Sequence, residues 1–310
     1  MHSHRTVVAS FVSVLAVGCT EDPVSMITGT ETLEARATAG PSGSVAFHSD
    51  RAGNREIFLM DPDGSNAVRL TFDPAADFYP DLAPNGKWVV FTSNRSGRND
   101  IFLQSTDGGA AVNLTGTPEA AEDWPRFSPD GHQIAFHGNR GGNNEIYVLD
   151  LRTGVLQQIT DYAGVDMWPE WSPDGRKLAF RRDMDVYVIE LRTGEVTRLT
   201  YLPTTLDQMA AWSPNGQQLA FMSSREGYCS VFLMDADGSN QQNLTPRNPG
   251  DANSTWCSRA PAWTANGRIL FMSFRPSTGG DVEVFSMNPD GSDLLRLTHS
   301  AGEDGGPTGR

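Results

Sequence analysis

One short pattern recurs six times along this chain, and few folds accept such a chain. A Leu-Thr or Ile-Thr pair stands at Leu70-Thr71, Leu114-Thr115, Ile159-Thr160, Leu199-Thr200, Leu244-Thr245 and Leu297-Thr298. A Pro-x-Gly turn stands at Pro84-Asn85-Gly86, Pro129-Asp130-Gly131, Pro173-Asp174-Gly175 and Pro214-Asn215-Gly216, with Ala265-Asn266-Gly267 as a variant. A Phe closes the strand after each turn, at Phe91, Phe136, Phe180, Phe221 and Phe271, and Phe47 supplies the first of the six.

The stretch Asp166 to Thr200, DMWPEWSPDGRKLAFRRDMDVYVIELRTGEVTRLT, shows one complete unit. Leu178-Ala179-Phe180 and Val186-Tyr187-Val188-Ile189 are short and rich in β-formers, so they read as strands. In Ser172-Pro173-Asp174-Gly175 the proline presets φ and the glycine tolerates the left-handed residue of a tight turn. Gly194 serves the next reversal. The unit is therefore a four-stranded antiparallel meander. Repeated roughly every 40–45 residues, it predicts an all-β, six-bladed β-propeller.

These motifs also resemble a known family. WSPDG, a strand ending in Phe, an acidic-aliphatic-aromatic strand and a final Leu-Thr are similar to the TolB-type propeller repeat, over about residues 44 to 310. The resemblance implies a lipoprotein or periplasmic protein of the bacterial cell envelope. The repeats leave no room for the α/β domain that precedes the propeller in TolB.

Three segments are expected. Residues 1–18 read as a signal peptide: His2, His4 and Arg5 precede an apolar run, Val7 to Val17, too short to span a bilayer. Leu15-Ala16-Val17-Gly18-Cys19 resembles a lipoprotein box, with Cys19 as the lipidated residue; cleavage for plain secretion is the alternative. Residues 19–42 are polar and unpatterned, a flexible tether, and residues 43–310 hold the propeller. The net charge of -14 repels phosphate backbones, so nucleic acid and anionic lipid are excluded as partners. Membrane contact is expected only through the N-terminal lipid anchor. The remaining cysteines, Cys229 and Cys257, fall at one end of the propeller by strand alternation, where a disulfide or two buried thiols are the choices.

Alternation also separates two faces. The Ser-Pro-Asp-Gly turns share one face with Asp61-Pro62-Asp63-Gly64, Asp235-Ala236-Asp237-Gly238 and Asn288-Pro289-Asp290-Gly291. The connectors between blades vary and lie on the other face, where binding usually sits. The Asp-x-Asp-Gly turns lack the further ligands of a calcium loop. Arg51/Glu56, Arg95/Asp100 and Arg140/Glu145 are expected to pair across the loops between second and third strands. His48 and His137 occupy equivalent places in non-adjacent blades, a poor shell for the His-bound metal of the oligogalacturonate-lyase type. No Gly-x-Ser-x-Gly elbow is present. Neither a metal nor any other cofactor is implied.

The candidate site is the connector-face funnel at the starts of the innermost strands. It comprises the acids Asp77, Glu122, Asp166 and Asp207, with Ser258 in blade six, and Phe78, Tyr79, Asp123, Trp124, Trp168, Met209, Trp256 and Arg259 beside them. Carboxylates among aromatics suit a cationic peptide segment or a saccharide. The chain therefore reads as a monomeric, non-enzymatic module for an envelope protein or peptide. A carbohydrate-active lyase or hydrolase using the funnel carboxylates is the alternative.

Blade one lacks an innermost strand of its own before Ser44-Val45-Ala46-Phe47. Asp304-x-x-Pro307 repeats the spacing of Asp77-x-x-Pro80. Residues 304–309 are therefore expected to supply that strand and to add Asp304 to the acid ring; Arg36 to Gly40 is the other segment that could fill it.

Overall fold

The computed structural model describes residues 6–7, 44–246, 257–274 and 280–309. Each of six blades is a four-stranded antiparallel sheet, ordered from the central channel outward. Blade four runs Asp166–Trp171, Lys177–Arg182, Asp185–Glu190 and Glu195–Arg198. Its tight turn is held by side chains as well as by Gly175, at φ 69. The Ser172 hydroxyl donates to Asp174 at 2.6 Å and accepts from the Lys177 amide at 2.9 Å.

The Leu-Thr pair has a specific task. Each outermost strand is short, so an amide near the start of the third strand needs an acceptor from beyond it. Six threonine hydroxyls provide one: Thr71 to Ile57, Thr115 to Ile101, Thr160 to Ile146, Thr200 to Val186, Thr245 to Val231 and Thr298 to Val284, all at 2.9–3.0 Å. In blades one, three, four and six the same hydroxyl donates to the acid at the head of the third strand, Glu56, Glu145, Asp185 or Glu283. A buried amide without a partner is costly, and this explains why a hydroxyl recurs there.

The repeated Phe is the centre of each blade's packing. Phe47, Phe91, Phe136, Phe180, Phe221 and Phe271 are almost completely buried. Each meets an aromatic of the third strand (Phe58, Phe102, Tyr147, Tyr187, Phe232 and Phe285) with ring centroids 5.7–6.1 Å apart. Such pairs contribute about 0.5–1.5 kcal/mol beyond their buried area. The expectation that Phe ends the second strand is corrected. The strand runs on, to Ser49, Ser93, Gly138, Arg182, Ser223 and Phe274, because these residues pair with the start of the innermost strand.

Blade one closes the ring with the C-terminal segment. Asp304–Gly309 pairs antiparallel with Val45–Ser49, from Ser49 opposite Asp304 to Val45 opposite Gly309. The glycines of this strand are fitted to close approaches. A Cβ on Gly305 would meet Met272 at 2.6 Å, and Gly306 sits at φ 55 against His48 and Tyr79. Thr308 donates to Asp81 of blade two at 2.7 Å and so ties the closing strand to a second blade.

Two other expectations concern segments at the edges of the fold. Cys229 and Cys257 are disulfide-bonded, joining blade five to the innermost strand of blade six. Of the expected signal segment, Thr6–Val7 is described, paired with Leu156–Gln157 at the outer edge of blade three. The rest of that segment, Cys19 and the expected tether lie outside the described residues, as does Trp256.

Candidate functional site

The innermost strands repeat a six-residue frame, clearest in Asp77–Leu82, Glu122–Phe127 and Asp166–Trp171. Its first residue is the expected funnel acid, and the structure turns that acid away from the funnel. Asp77, Glu122, Asp166, Asp207 and Asp304 are fully buried. Each meets an arginine at or just beyond the end of its own blade's second strand: Arg95 at 2.7 Å, Arg140 at 2.9 Å, Arg182 at 2.6 Å, Arg225 at 3.0 Å and Arg51 at 2.7 Å. Arg51, Arg95, Arg182 and Arg225 also lie over the paired aromatic rings of their blades. Blade six has Ser258 in the acid's place, bonded to Ser273 at 2.9 Å.

This ring overturns the loop pairs expected from the sequence. Arg51, Arg95 and Arg140 reach inward to the innermost strand instead of along the loop to Glu56, Asp100 and Glu145. Those acids are taken elsewhere. Glu56 accepts from Arg69 and Thr71, Asp100 from Ser96 and Asn113, and Glu145 from Asn143, Thr160 and the Tyr162 amide. Both sets of acids are buried and each needs partners; side-chain and backbone donors of the outer strand and its connectors satisfy Glu56, Asp100 and Glu145, which leaves the arginines to the innermost strand.

The third residue of the frame shapes the channel. Tyr79, Trp124, Trp168, Met209, Ala260 and Gly306 all have left-handed backbone, with φ between 51 and 59, and each sits at a register shift in its ladder. The bulge swings these side chains together across the channel. Tyr79 and Trp124 have ring centroids 4.5 Å apart, Trp124 and Trp168 6.3 Å, and Met209, Ala260 and Met272 pack on them. The expected funnel aromatics thus form a plug inside the ring, with Trp124 buried and Tyr79 and Trp168 half-buried.

A bulged amide leaves its own ladder, and the preceding blade faces it with an acceptor. Trp124 N–H donates to Thr92 at 3.2 Å, and Tyr79 and Trp168 N–H point at Nδ1 of His48 and His137 at 3.5 Å. The equivalent histidines therefore serve the scaffold. Burial lowers both pKa values, that of His137 to about 3, so the rings stay neutral and Nδ1 stays an acceptor. Among the described residues no three His, Cys, Asp or Glu side chains converge as a metal shell requires.

What remains accessible at the connector-face mouth is a smaller set. Arg55 and Arg259 are each 42% exposed and converge on Glu303. His48 and Arg55 hold the Glu303 carboxyl down to about 2. Phe78 stacks edge-on to Tyr79 at 5.2 Å. Asp123 accepts from Thr92, the Trp124 amide and Asn99, yet burial pushes it up to about 6. Burial likewise raises Glu122 to about 7, and the neighbouring Asp100 carboxyl adds to this against the opposing pull of Arg140 and Thr117. Phe78 was among the expected funnel residues, and Arg55 and Glu303 were not; their variability between blades was the available signal.

The opposite, turn-face mouth holds a cavity of ≈ 260 Å³ to which all six blades contribute, among them Asp81, Arg126, Glu170, Trp212, Trp263 and Thr308. These occupy the fifth and sixth places of the frame. The sequence reading passed over them because it assigned that face to turns alone.

Comparison with known proteins agrees with this architecture. A family model described as the TolB β-propeller domain matches residues 116–185 and 181–308. Over 49 residues the chain is 49% identical to the Tol-Pal system protein TolB of Geobacter sulfurreducens, a segment that is 16% of this chain and 11% of that protein. The crystal structure of TolB from Acinetobacter baumannii superposes with a TM-score of 0.74 at 23% identity, over 86% of this chain and 66% of that one. An oligogalacturonate lyase from Vibrio parahaemolyticus superposes with a TM-score of 0.53 at 14% identity, over 81% and 73% of the two chains. Likeness at such identities speaks for the fold alone.

Proposed function

The chain belongs to the TolB β-propeller domain family, and from that premise we propose that it is an exported, non-enzymatic binding module holding a protein or peptide segment of the bacterial envelope. One observation carries the reading. The carboxylates that a sugar-cleaving site would need are buried against arginines of their own blades, so they offer neither a general acid nor a base to a ligand. Two carboxyls remain at the funnel: Asp123 works as an acceptor for the plug, and Glu303 is paired with Arg55 and His48. Recognition falls instead to the rim formed by Phe78, Arg55 and Arg259, which rests on a rigid, closed ring.

The test is capture from an envelope extract, with the rim varied. The double variant Phe78→Ala/Arg259→Glu should lose at least about tenfold in affinity for the captured protein while melting as the wild type does, since anchor residues at a rim act on binding and not on the core. Equal capture by the folded variant would refute the rim assignment.

Export and anchoring rest on the leader. Cys19 is proposed as the acylated residue, tied to the propeller by residues 20–42. Cys19→Ala should move the protein from the membrane pellet to the soluble fraction. One acyl chain gives marginal, reversible attachment, and a diacylated cysteine holds firmly. A wild-type protein already soluble and without acyl mass would exclude the anchor.

A further inference from the structure

We propose that the turn-face mouth of the channel is a second binding site, one that takes a single neutral sugar ring. Three blades place a tryptophan at the sixth position of the frame, so their indoles can be compared directly. Trp171 gives its N–H to the Arg126 carbonyl at 3.1 Å, and Trp263 gives its N–H to the Ala211 carbonyl at 3.0 Å. Trp212 differs. It is 8% exposed, it lines the cavity, and its buried Nε1 meets no acceptor among the described residues. An indole nitrogen can only donate, and a buried donor without an acceptor is rare in folded proteins. The cavity beside it is the place from which an acceptor can come.

The rest of the lining selects the class of ligand. Arg126 is matched by Glu170 at 2.8 Å, and Asp81 accepts from Thr308 at 2.7 Å and from the Phe127 amide at 2.8 Å. With one guanidinium against two carboxylates, the wall repels an anion such as a uronate or phosphate. A simple organic cation has no acceptor for the Trp212 N–H. A pyranose meets both conditions: its hydroxyls accept from Trp212 and donate to carboxylate oxygens, and its apolar face lies on indole and proline. The size agrees, since ≈ 260 Å³ is below the ~300–1,000 Å³ of drug-sized sites. The proposal is independent of the connector-face rim, which lies at the other end of the channel.

The experiment is titration of the full chain with glucose, N-acetylglucosamine, galacturonate and choline, followed by calorimetry and tryptophan fluorescence. At least one neutral sugar should bind saturably in the millimolar range or tighter, ahead of galacturonate and choline. Trp212→Phe keeps the ring and removes the N–H, and should weaken that sugar about fivefold or more. Ala262→Phe fills the cavity from blade six and should abolish binding; it decides the matter if Trp212→Phe does not fold. The proposal is overturned if no neutral sugar saturates, if galacturonate or choline binds more tightly, or if either folded variant binds as the wild type does.

Discussion

A chain truncated after Ala301 will lose its cooperative native state or melt far below the intact protein. The deletion removes the innermost strand of blade one and with it the ladder to Val45–Ser49. Some four or five ladder hydrogen bonds at about 1 kcal/mol each go with that strand. Two further ties are lost, the ion pair of Asp304 with Arg51 and the bond from Thr308 to Asp81. Arg51 is then left without its charge partner, and the second strand of blade one becomes an open edge. For a domain of this size about 5 kcal/mol corresponds to a fall of roughly 10–20 °C in Tm. Calorimetry of the truncated and intact proteins measures it, and equal melting temperatures would contradict the closure described here.

Asp166→Ala should cost about 3–5 kcal/mol, more than a surface ion pair can explain. Arg182 donates to both carboxylate oxygens, at 2.9 Å from Nε and 2.6 Å from Nη2, and Asp166 is fully buried. Removing the acid strands a guanidinium between the ring pair Phe180–Tyr187 and the innermost strand. Replacing both partners, as Asp166→Leu/Arg182→Met, should recover most of the loss, because two apolar side chains leave no charge unmet. Denaturant titration of the three proteins separates these effects. A single variant within about 1 kcal/mol of the wild type would show that the ring of ion pairs is dispensable.

These two results bear on what the sequence could disclose. The repeat was legible because its elements are local. A Pro-Asp-Gly turn, a strand around Phe and a Leu-Thr pair each fall within a few residues, and six copies in register admit a ring. Even the closing strand could be read, since Asp304-x-x-Pro307 keeps the frame of the other blades. The partners of the charged side chains could not. Arg51 has Glu56 five residues away and Asp304 at the far end of the chain; Glu56 is taken by Arg69 and Thr71, and Asp304 comes within reach only once the ring is shut. The plug was hidden for a different reason. Trp, Tyr and Met disfavour left-handed backbone, so no propensity announces that the third residue of the innermost-strand frame adopts it in every blade. With those side chains turned inward, the funnel acids and aromatics divided into a buried ring and a core plug, and the accessible rim passed to Arg55, Phe78 and Arg259.

The closing strand also sets an order of events in time. Blade one is made from Val45–Ser49 and Asp304–Gly309, so nearly the whole chain must exist before its first blade is complete. During synthesis, five blades can assemble their local hairpins while the ring stays open. Contacts between such distant segments form slowly. A polypeptide that delays its last joint in this way remains threadable until its final residues arrive. Under the proposed export, in which the chain crosses a membrane unfolded, the late joint works as a timer.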